Sequence, residues 1–227
     1  MANPGLSYHN PIYQVGTISG NAELGTSNIL EGSGQTWQPG TPFQISTSTG
    51  PPNTKGYAIA STASNGTTQI IIKGFAYLPG RNYSSNGQGA APPFGSIGYP
   101  GGAGAVQNIV NQPSAYSIYG GAPFVDGLVV GGMATLDVIW AVQVDASSGI
   151  TYNYDATAIP LGSTIALNKD SNGFWYADLA HVNNSSYADL NIVGYNAQDL
   201  VAGSTVTQQN YGTIYCVVNT SAIQGLE

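Results

Sequence analysis

The apolar positions of this chain fall in short runs and alternations, not at helical spacing. No long stretch repeats apolar residues at i, i+3, i+4 and i+7 without an interrupting Gly, Pro or β-branched residue. Four segments carry a strand signal: Thr67–Tyr77, with Ile70-Ile71-Ile72 ahead of Gly74-Phe75; Ala134–Val144; Leu190–Tyr195; and Gly212–Val218. Their β-branched and aromatic residues suit a pleated, half-buried surface. Asn65-Gly66, Asn86-Gly87, Asp126-Gly127 and Asn172-Gly173 supply residues that tolerate positive φ, as tight turns require. Many short strands with such turns predict an all-β chain of β-sandwich or β-barrel units.

Two regions break the pattern. Residues 1–36 hold Gly and Asn at short intervals and no sustained alternation. They read as an extended N-terminal arm with one short strand near Ile12–Ile18, ahead of a β domain over residues 37–227. Fully stretched, such an arm spans up to ~120 Å, enough to cross a neighbouring subunit. Residues 79–123 carry Pro79, Pro92, Pro93, Pro100, Pro113 and Pro123 among many glycines. Few regular strands survive that proline density, so this is a long excursion that packs in an ordered way or contacts a partner.

The strand pattern also echoes itself. Pro39-Gly40-Thr41-Pro42-Phe43-Gln44-Ile45 is followed by Gly56-Tyr57 and then by Ile71-Ile72-Lys73-Gly74-Phe75. Leu161-Gly162-Ser163-Thr164-Ile165-Ala166-Leu167 is followed by Gly173-Phe174 and then by Ile192-Val193-Gly194-Tyr195. Order and spacing nearly match at an offset of about 120 residues, which predicts two related three-strand units sharing one strand order, either as two lobes or as halves of one barrel.

Composition narrows the function. Charged residues make up 7% of the chain, against about 25% in an average soluble domain. Yet 42% is hydrophobic and there are 15 Tyr and 3 Trp, so a core can form. Uncharged polar residues cost less to desolvate than charges, and interfaces favour Tyr while depleting Lys, Glu and Asp. The balance is acidic, with 4 Lys and Arg against 11 Asp and Glu. Lys55, Lys73, Arg81 and Lys169 are scattered and make no phosphate-binding stripe, so no nucleic-acid partner is expected. The N-terminus lacks the basic and apolar regions of a signal peptide, and no apolar run approaches a membrane span. Synthesis in a cytoplasm without a signal peptide, and no membrane partner, are the expectation.

Chemistry is sparse. The chain lacks a G-x-S-x-G elbow, an H-E-x-x-H pair, a C-x-x-C pair and a Walker loop. No enzyme, catalytic residue, cofactor or metal site is expected. Gly95-Ser96-Ile97-Gly98-Tyr99-Pro100-Gly101-Gly102-Ala103-Gly104 is Gly-rich but opens no helix, so it reads as backbone freedom and not as a phosphate cradle. Cys216 is the single cysteine and lies in an apolar strand, as a buried inert thiol. His9 falls in the arm, and His181 in a loop at the surface. Asp170-Ser171-Asn172-Gly173 lacks the closing Glu of a calcium loop and reads as an Asx-type turn. Asp137 and Asp145 lie about 26 Å apart along one strand, too far to form an acid/base pair. Trp37, Trp140 and Trp175 are the candidates for a sugar-stacking platform, with the core as the default for Trp140.

Ala91-Pro92-Pro93-Phe94-Gly95-Ser96-Ile97-Gly98-Tyr99-Pro100-Gly101 resembles a segment of small structural proteins encoded beside the major capsid protein of tailed phages. So do Pro39-Gly40-Thr41-Pro42-Phe43-Gln44, Gln112-Pro113-Ser114-Ala115, Gly121-Ala122-Pro123-Phe124-Val125-Asp126-Gly127, Gly173-Phe174-Trp175-Tyr176-Ala177-Asp178 and Ile192-Val193-Gly194-Tyr195-Asn196. The resemblance, to the capsid decoration or cement proteins, spans residues 39 to 196. It implies a virion protein on the outer capsid surface, a homotrimer that bridges major capsid subunits. Aromatic anchors dominate such interfaces. The contact candidates are therefore Tyr8, Tyr13 and Leu30 in the arm and Phe94, Tyr99, Tyr116 and Tyr119 in the excursion. The alternative is a receptor- or glycan-binding fibre or tail protein. A polysaccharide-degrading enzyme would need two close carboxylates in a cleft, and the sequence shows none.

Overall fold

The computed structural model describes residues 10–20, 25, 29, 31, 35, 37–48, 56–62, 69–78, 129, 131–145, 152–153, 159–170, 173–183, 185–196, 205–206 and 212–225. These form β1 (Tyr13–Thr17), β2 (Pro42–Ile45), β3 (Ala58–Ala60), β4 (Gly74–Ala76), β5 (Gly131–Met133), β6 (Val138–Asp145), β7 (Tyr152–Asn153), β8 (Thr164–Lys169), β9 (Trp175–Val182), β10 (Leu190–Tyr195), β11 (Thr205–Val206) and β12 (Thr213–Val218). One 3-10 turn, Ser185–Tyr187, precedes β10, and no α-helix occurs among the described residues. The chain is all-β.

Five strands close a barrel in the order β6-β12-β10-β8-β9, with β9 returning to β6. All neighbours are antiparallel except β6 and β9, which run parallel through Val144 opposite Ala177. Closure removes the open edges that a flat sheet would expose. The other part of the β6–β9 edge is taken by β1, with Tyr13 opposite Ala141. A separate antiparallel sheet has the order β3-β2-β4-β5, and β7 pairs with β11.

The alternation in β6 shows why this closes. Val138, Trp140, Val142 and Val144 are buried in the core, while Ile139 and Gln143 are half-exposed on the other face. Ile165 and Leu167 of β8, Leu190 and Ile192 of β10, and Ile214, Cys216 and Val218 of β12 meet them inside. Burying each large aliphatic side chain is worth roughly 1.5–3 kcal/mol. A smaller core of Trp37, Phe43, Ala58, Ala76 and Val129, with Ile29, Ile45 and Ala60 packed against it, fills the second sheet.

The predicted strand over Thr67–Tyr77 is shorter than expected. Only Gly74–Ala76 joins the second sheet, and residues 70–72 turn to the barrel instead. Ile72 donates its N–H to the Ala222 carbonyl (2.7 Å) and accepts from the Gln224 N–H (2.9 Å). Phe75 packs on Trp140 with ring centroids 4.6 Å apart. A Cβ at Gly132 would lie 2.6 Å from the Trp140 ring, so a glycine lets the two sheets meet there.

The two units foreseen in the sequence share a strand order. In both, the first strand is central and the second and third flank it: β3-β2-β4 and β9-β8-β10. The third strand aligns four residues away from the expected place. Gly74–Ala76 corresponds to Leu190–Ile192 by register, not to Gly194-Tyr195. The glycine-aromatic string suggested the wrong alignment because Gly194 sits at a bulge in β10, where the pairing shifts.

Of the N-terminal segment, several described residues pair with the chain's own strands. β1 realises the strand expected near Ile12–Ile18, and Ile12 itself is 1% exposed. Gly25 bridges Gly132, and Glu31 bridges Ala58. The excursion at 79–123 lies outside the described residues.

Candidate interaction surface

Backbone register builds the surface. Tyr13 stands opposite Ala141, Ala141 opposite Tyr215, and Tyr215 opposite Gly194. Directly paired residues project to the same face. One row across β1, β6, β12 and β10 therefore reads Tyr, Ala, Tyr, Gly on the outside of the sheet. The small residues make room for the rings. A Cβ at Gly194 would meet the Tyr215 ring at 3.3 Å, so this tyrosine lies along the strand beside it. Ala141, at 1% exposure, is covered although it belongs to no interior cluster.

Apolar side chains extend the row. Tyr13 is 50% exposed, Val15 46%, Ile18 63%, Leu136 44% and Val193 41%. Val15 sits at the irregularity between Gln14 and Gly16 and Val193 at the one between Ile192 and Gly194. Ile18 is held next to Leu136 by its N–H bond to the Asp137 carbonyl (2.8 Å), while the Ser19 N–H donates to the Asp137 carboxylate (2.8 Å). The outward positions from Ile139 to Gln143 on β6, Thr213 to Val217 on β12 and Asn191 to Val193 on β10 carry no charge, and Asp137 and Asp145 bound this stretch at the two ends of β6. Solvent-facing apolar groups gathered in this way mark interaction sites more often than scattered ones do.

Of the contact candidates, Tyr13 lies in this face. Tyr8, Leu30, Phe94, Tyr99, Tyr116 and Tyr119 lie outside the described residues. Tyr215, Val15, Ile18 and Leu136 were not singled out from the sequence. Tyr215 sits in an apolar run whose inward and outward members cannot be separated until β12 is registered against β6.

The tryptophans offer no platform. Trp37, Trp140 and Trp175 are 7%, 0% and 2% exposed. Trp175 stands opposite Lys169 at the end of β8, and the Lys169 Nζ lies 5.9 Å from the ring centre. Cys216 is fully buried, and burial pushes its thiol above the ordinary range, so it stays protonated.

His181 is in β9, not in a loop. Its Nδ1 lies 2.8 Å from Oδ2 of Asp178, which is fully buried and also accepts the Ala180 N–H (3.0 Å) and the Asn168 side-chain amide (3.2 Å). The ring packs edge-on against Tyr187. This carboxylate serves the irregular turn of β9, where its register against β8 shifts. Where the Asx-type turn is expected, the Asp170 carboxylate accepts the N–H of Phe174, four residues on (2.9 Å), the Gly173 N–H donates to the Asp170 carbonyl (3.1 Å), and Gly173 has φ +90°.

Among the described residues no group of three or more His, Cys, Asp or Glu is placed to hold a metal, and no helix is long and apolar enough to cross a membrane. No family model, curated protein or solved structure matches this chain.

Proposed function

We propose that this chain is a structural virion protein that binds the outer surface of a phage capsid and stabilises it by bridging major capsid subunits. The observation that supports this reading is the outer face centred on Tyr13, Ala141 and Tyr215, with Val15, Ile18 and Leu136 exposed beside it and Asp137 at its edge. An aromatic anchor amid apolar neighbours is the kind of feature that dominates protein interfaces. The low charge and high tyrosine content of the chain support the same reading. A protein that binds only the assembled shell stabilises it by its own binding free energy, and many copies multiply a modest contribution per site. Trimerisation would add avidity where the feet engage together.

The test is co-sedimentation with expanded capsids stripped of bound accessory protein, comparing the wild-type chain with Tyr13→Ser/Val15→Asp. Both changes fall on half-exposed positions, so the thermal transition should move little. Loss of capsid occupancy by the double variant at unchanged fold supports the proposal. A wild-type chain that ignores capsids but is retained on a glycan array overturns it in favour of receptor binding.

A further inference from the structure

We infer that the chain is a tandem duplication of one five-strand barrel, in which Ile29 and Glu31 stand where Val142 and Val144 of β6 stand in the second copy. The argument starts at the turns. Gly40 and Gly162 both have φ +81°. In the first, Thr41 donates its N–H to Gln38; in the second, Ser163 donates to Pro160. Gly40 then donates to Ala76 while Ala76 donates back to Thr41, and Gly162 donates to Ile192 while Ile192 donates back to Ser163. Each hairpin also holds a positive-φ glycine, Gly56 (φ +85°) and Gly173 (φ +90°), but the second hairpin is longer: Ser46 pairs with Tyr57 at the place where Asn168 opposes Tyr176, and Asp170 pairs with Phe174 beyond it.

Registers carry the match through four strands. Pro42 and Phe43 oppose Phe75 and Gly74 as Thr164 and Ile165 oppose Asn191 and Leu190. Ile45 opposes Ala58 as Leu167 opposes Ala177. Gly131, Gly132 and Met133 oppose Ala76, Phe75 and Gly74 as Cys216, Val217 and Val218 oppose Ile192, Asn191 and Leu190. Even the exits agree: Ala134 donates to the Lys73 carbonyl and Asn219 to the Asp189 carbonyl.

The second barrel closes because β6 lies antiparallel to β12 and parallel to β9. The first sheet has the same two contacts in the same places. Val129 donates its N–H to the Ile29 carbonyl (2.9 Å), where Ile214 opposes Val142 in the second copy. Glu31 bridges Ala58 in parallel, where Val144 opposes Ala177. Gly25 bridges Gly132 on β5 in the antiparallel sense, as β6 pairs with β12.

The interiors then correspond side chain by side chain. Trp37, Phe43, Ala58, Ala76 and Val129, with Ile29, Ile45 and Ala60, make the first core. Their counterparts are Ile159, Ile165, Ala177, Ile192 and Ile214, with Val142, Leu167 and Leu179, and all eight belong to the core of the second barrel. Chance resemblance between short β strings does not reproduce turns, registers and an interior together. The inference removes Gly25, Ile29 and Glu31 from any role in a free arm and makes them part of the wall of the first barrel.

Hydrogen exchange on the full chain tests it with matched variants, Ile29→Asp and Val142→Asp. Each puts a carboxylate into one interior. Ile29→Asp should strip protection from the Val129 amide and from β2, while Val142→Asp should strip it from β8, β10 and β12. Loss of protection throughout the chain in Ile29→Asp also supports an inward, wall-forming Ile29. Wild-type protection everywhere in Ile29→Asp, or a Val129 amide in the unaltered chain that exchanges like an unstructured peptide, overturns the inference.

Discussion

Asp189 is the residue with most at stake. It is fully buried, and its two carboxylate oxygens accept the N–H groups of Ile70 (3.0 Å) and Leu167 (2.8 Å). It therefore ties the segment leaving the first sheet to the wall of the second barrel. Burial disfavours the charged form and outweighs both backbone hydrogen bonds, so the carboxyl is pushed up to about 7. The unfolded chain titrates near the ordinary value of 3.8. The folded state thus binds the proton more tightly, and this group's stabilisation is full below about pH 4 and lost as pH rises through about 7. Chemical denaturation of wild type and Asp189→Asn across pH 4–8 should diverge by on the order of a few kcal/mol, the wild type losing stability relative to the variant as pH rises. Parallel curves would show that Asp189 does not titrate in this window.

The two turn glycines give a second measurement at this scale. Alanine at Gly162 meets nothing within 4 Å, so its cost is that of a positive φ, about 1 kcal/mol. Alanine at Gly40 would also drive its Cβ to 2.3 Å from the Ile12 backbone nitrogen. Gly40→Ala should therefore cost at least twice as much as Gly162→Ala in equilibrium unfolding, and equal costs would mean that the Pro11–Ile12 segment does not pack there. The sequence places both at the same point of two echoing strings; their positive φ comes from the structure, and the packing of residues 11–12 separates them.

Among the elements, β1 is the informative one. Its pattern of Tyr13, Val15 and Thr17 alternating with Gln14 and Gly16 announces a strand, and the chain forms it. What it pairs with is a tertiary fact. Because β1 lies on β6 and Ile12 is buried, removal of residues 1–36 should lower the thermal transition sharply or abolish folding, as read by calorimetry. An unchanged transition after the deletion would return those residues to the status of a free arm. The strands at Leu190–Tyr195 and Gly212–Val218 were legible because β-branched runs end at clear breaks. The one at Thr67–Tyr77 was overcalled because Ile70 and Ile72 bond to the other unit, and a local pattern does not say which sheet a donor serves.

For the whole molecule, the predictions follow from an acidic chain with a mainly apolar outer face on β1, β6 and β12. The formal net charge is −7, and the outward positions between Asp137 and Asp145 on β6 carry none of it, so on the proposed reading the contact is mainly apolar. Capsid affinity should change by less than about threefold between 0.05 and 0.5 M salt, because apolar contacts are not screened. A steep salt dependence would locate the contact on charged residues elsewhere. A proposed homotrimer should give a light-scattering mass near three times 23.3 kDa. A mass of one chain would place oligomerisation on the shell.

By itself the sequence determined that this is a β protein. The 2-residue alternation, the turn glycines and the scarcity of helical spacing are local properties, and the local backbone obeys them. It also carried the echo between residues 39–45 and 161–167, in which Gly40 and Gly162 hold the same place. The tertiary structure alone decided closure, since the parallel contact of Val144 with Ala177 joins strands whose pairing no local rule specifies. It alone decided the candidate surface too. Tyr13 and Tyr215 share a face because Ala141 stands between them, and inward and outward are defined by register, which the strands acquire only from one another.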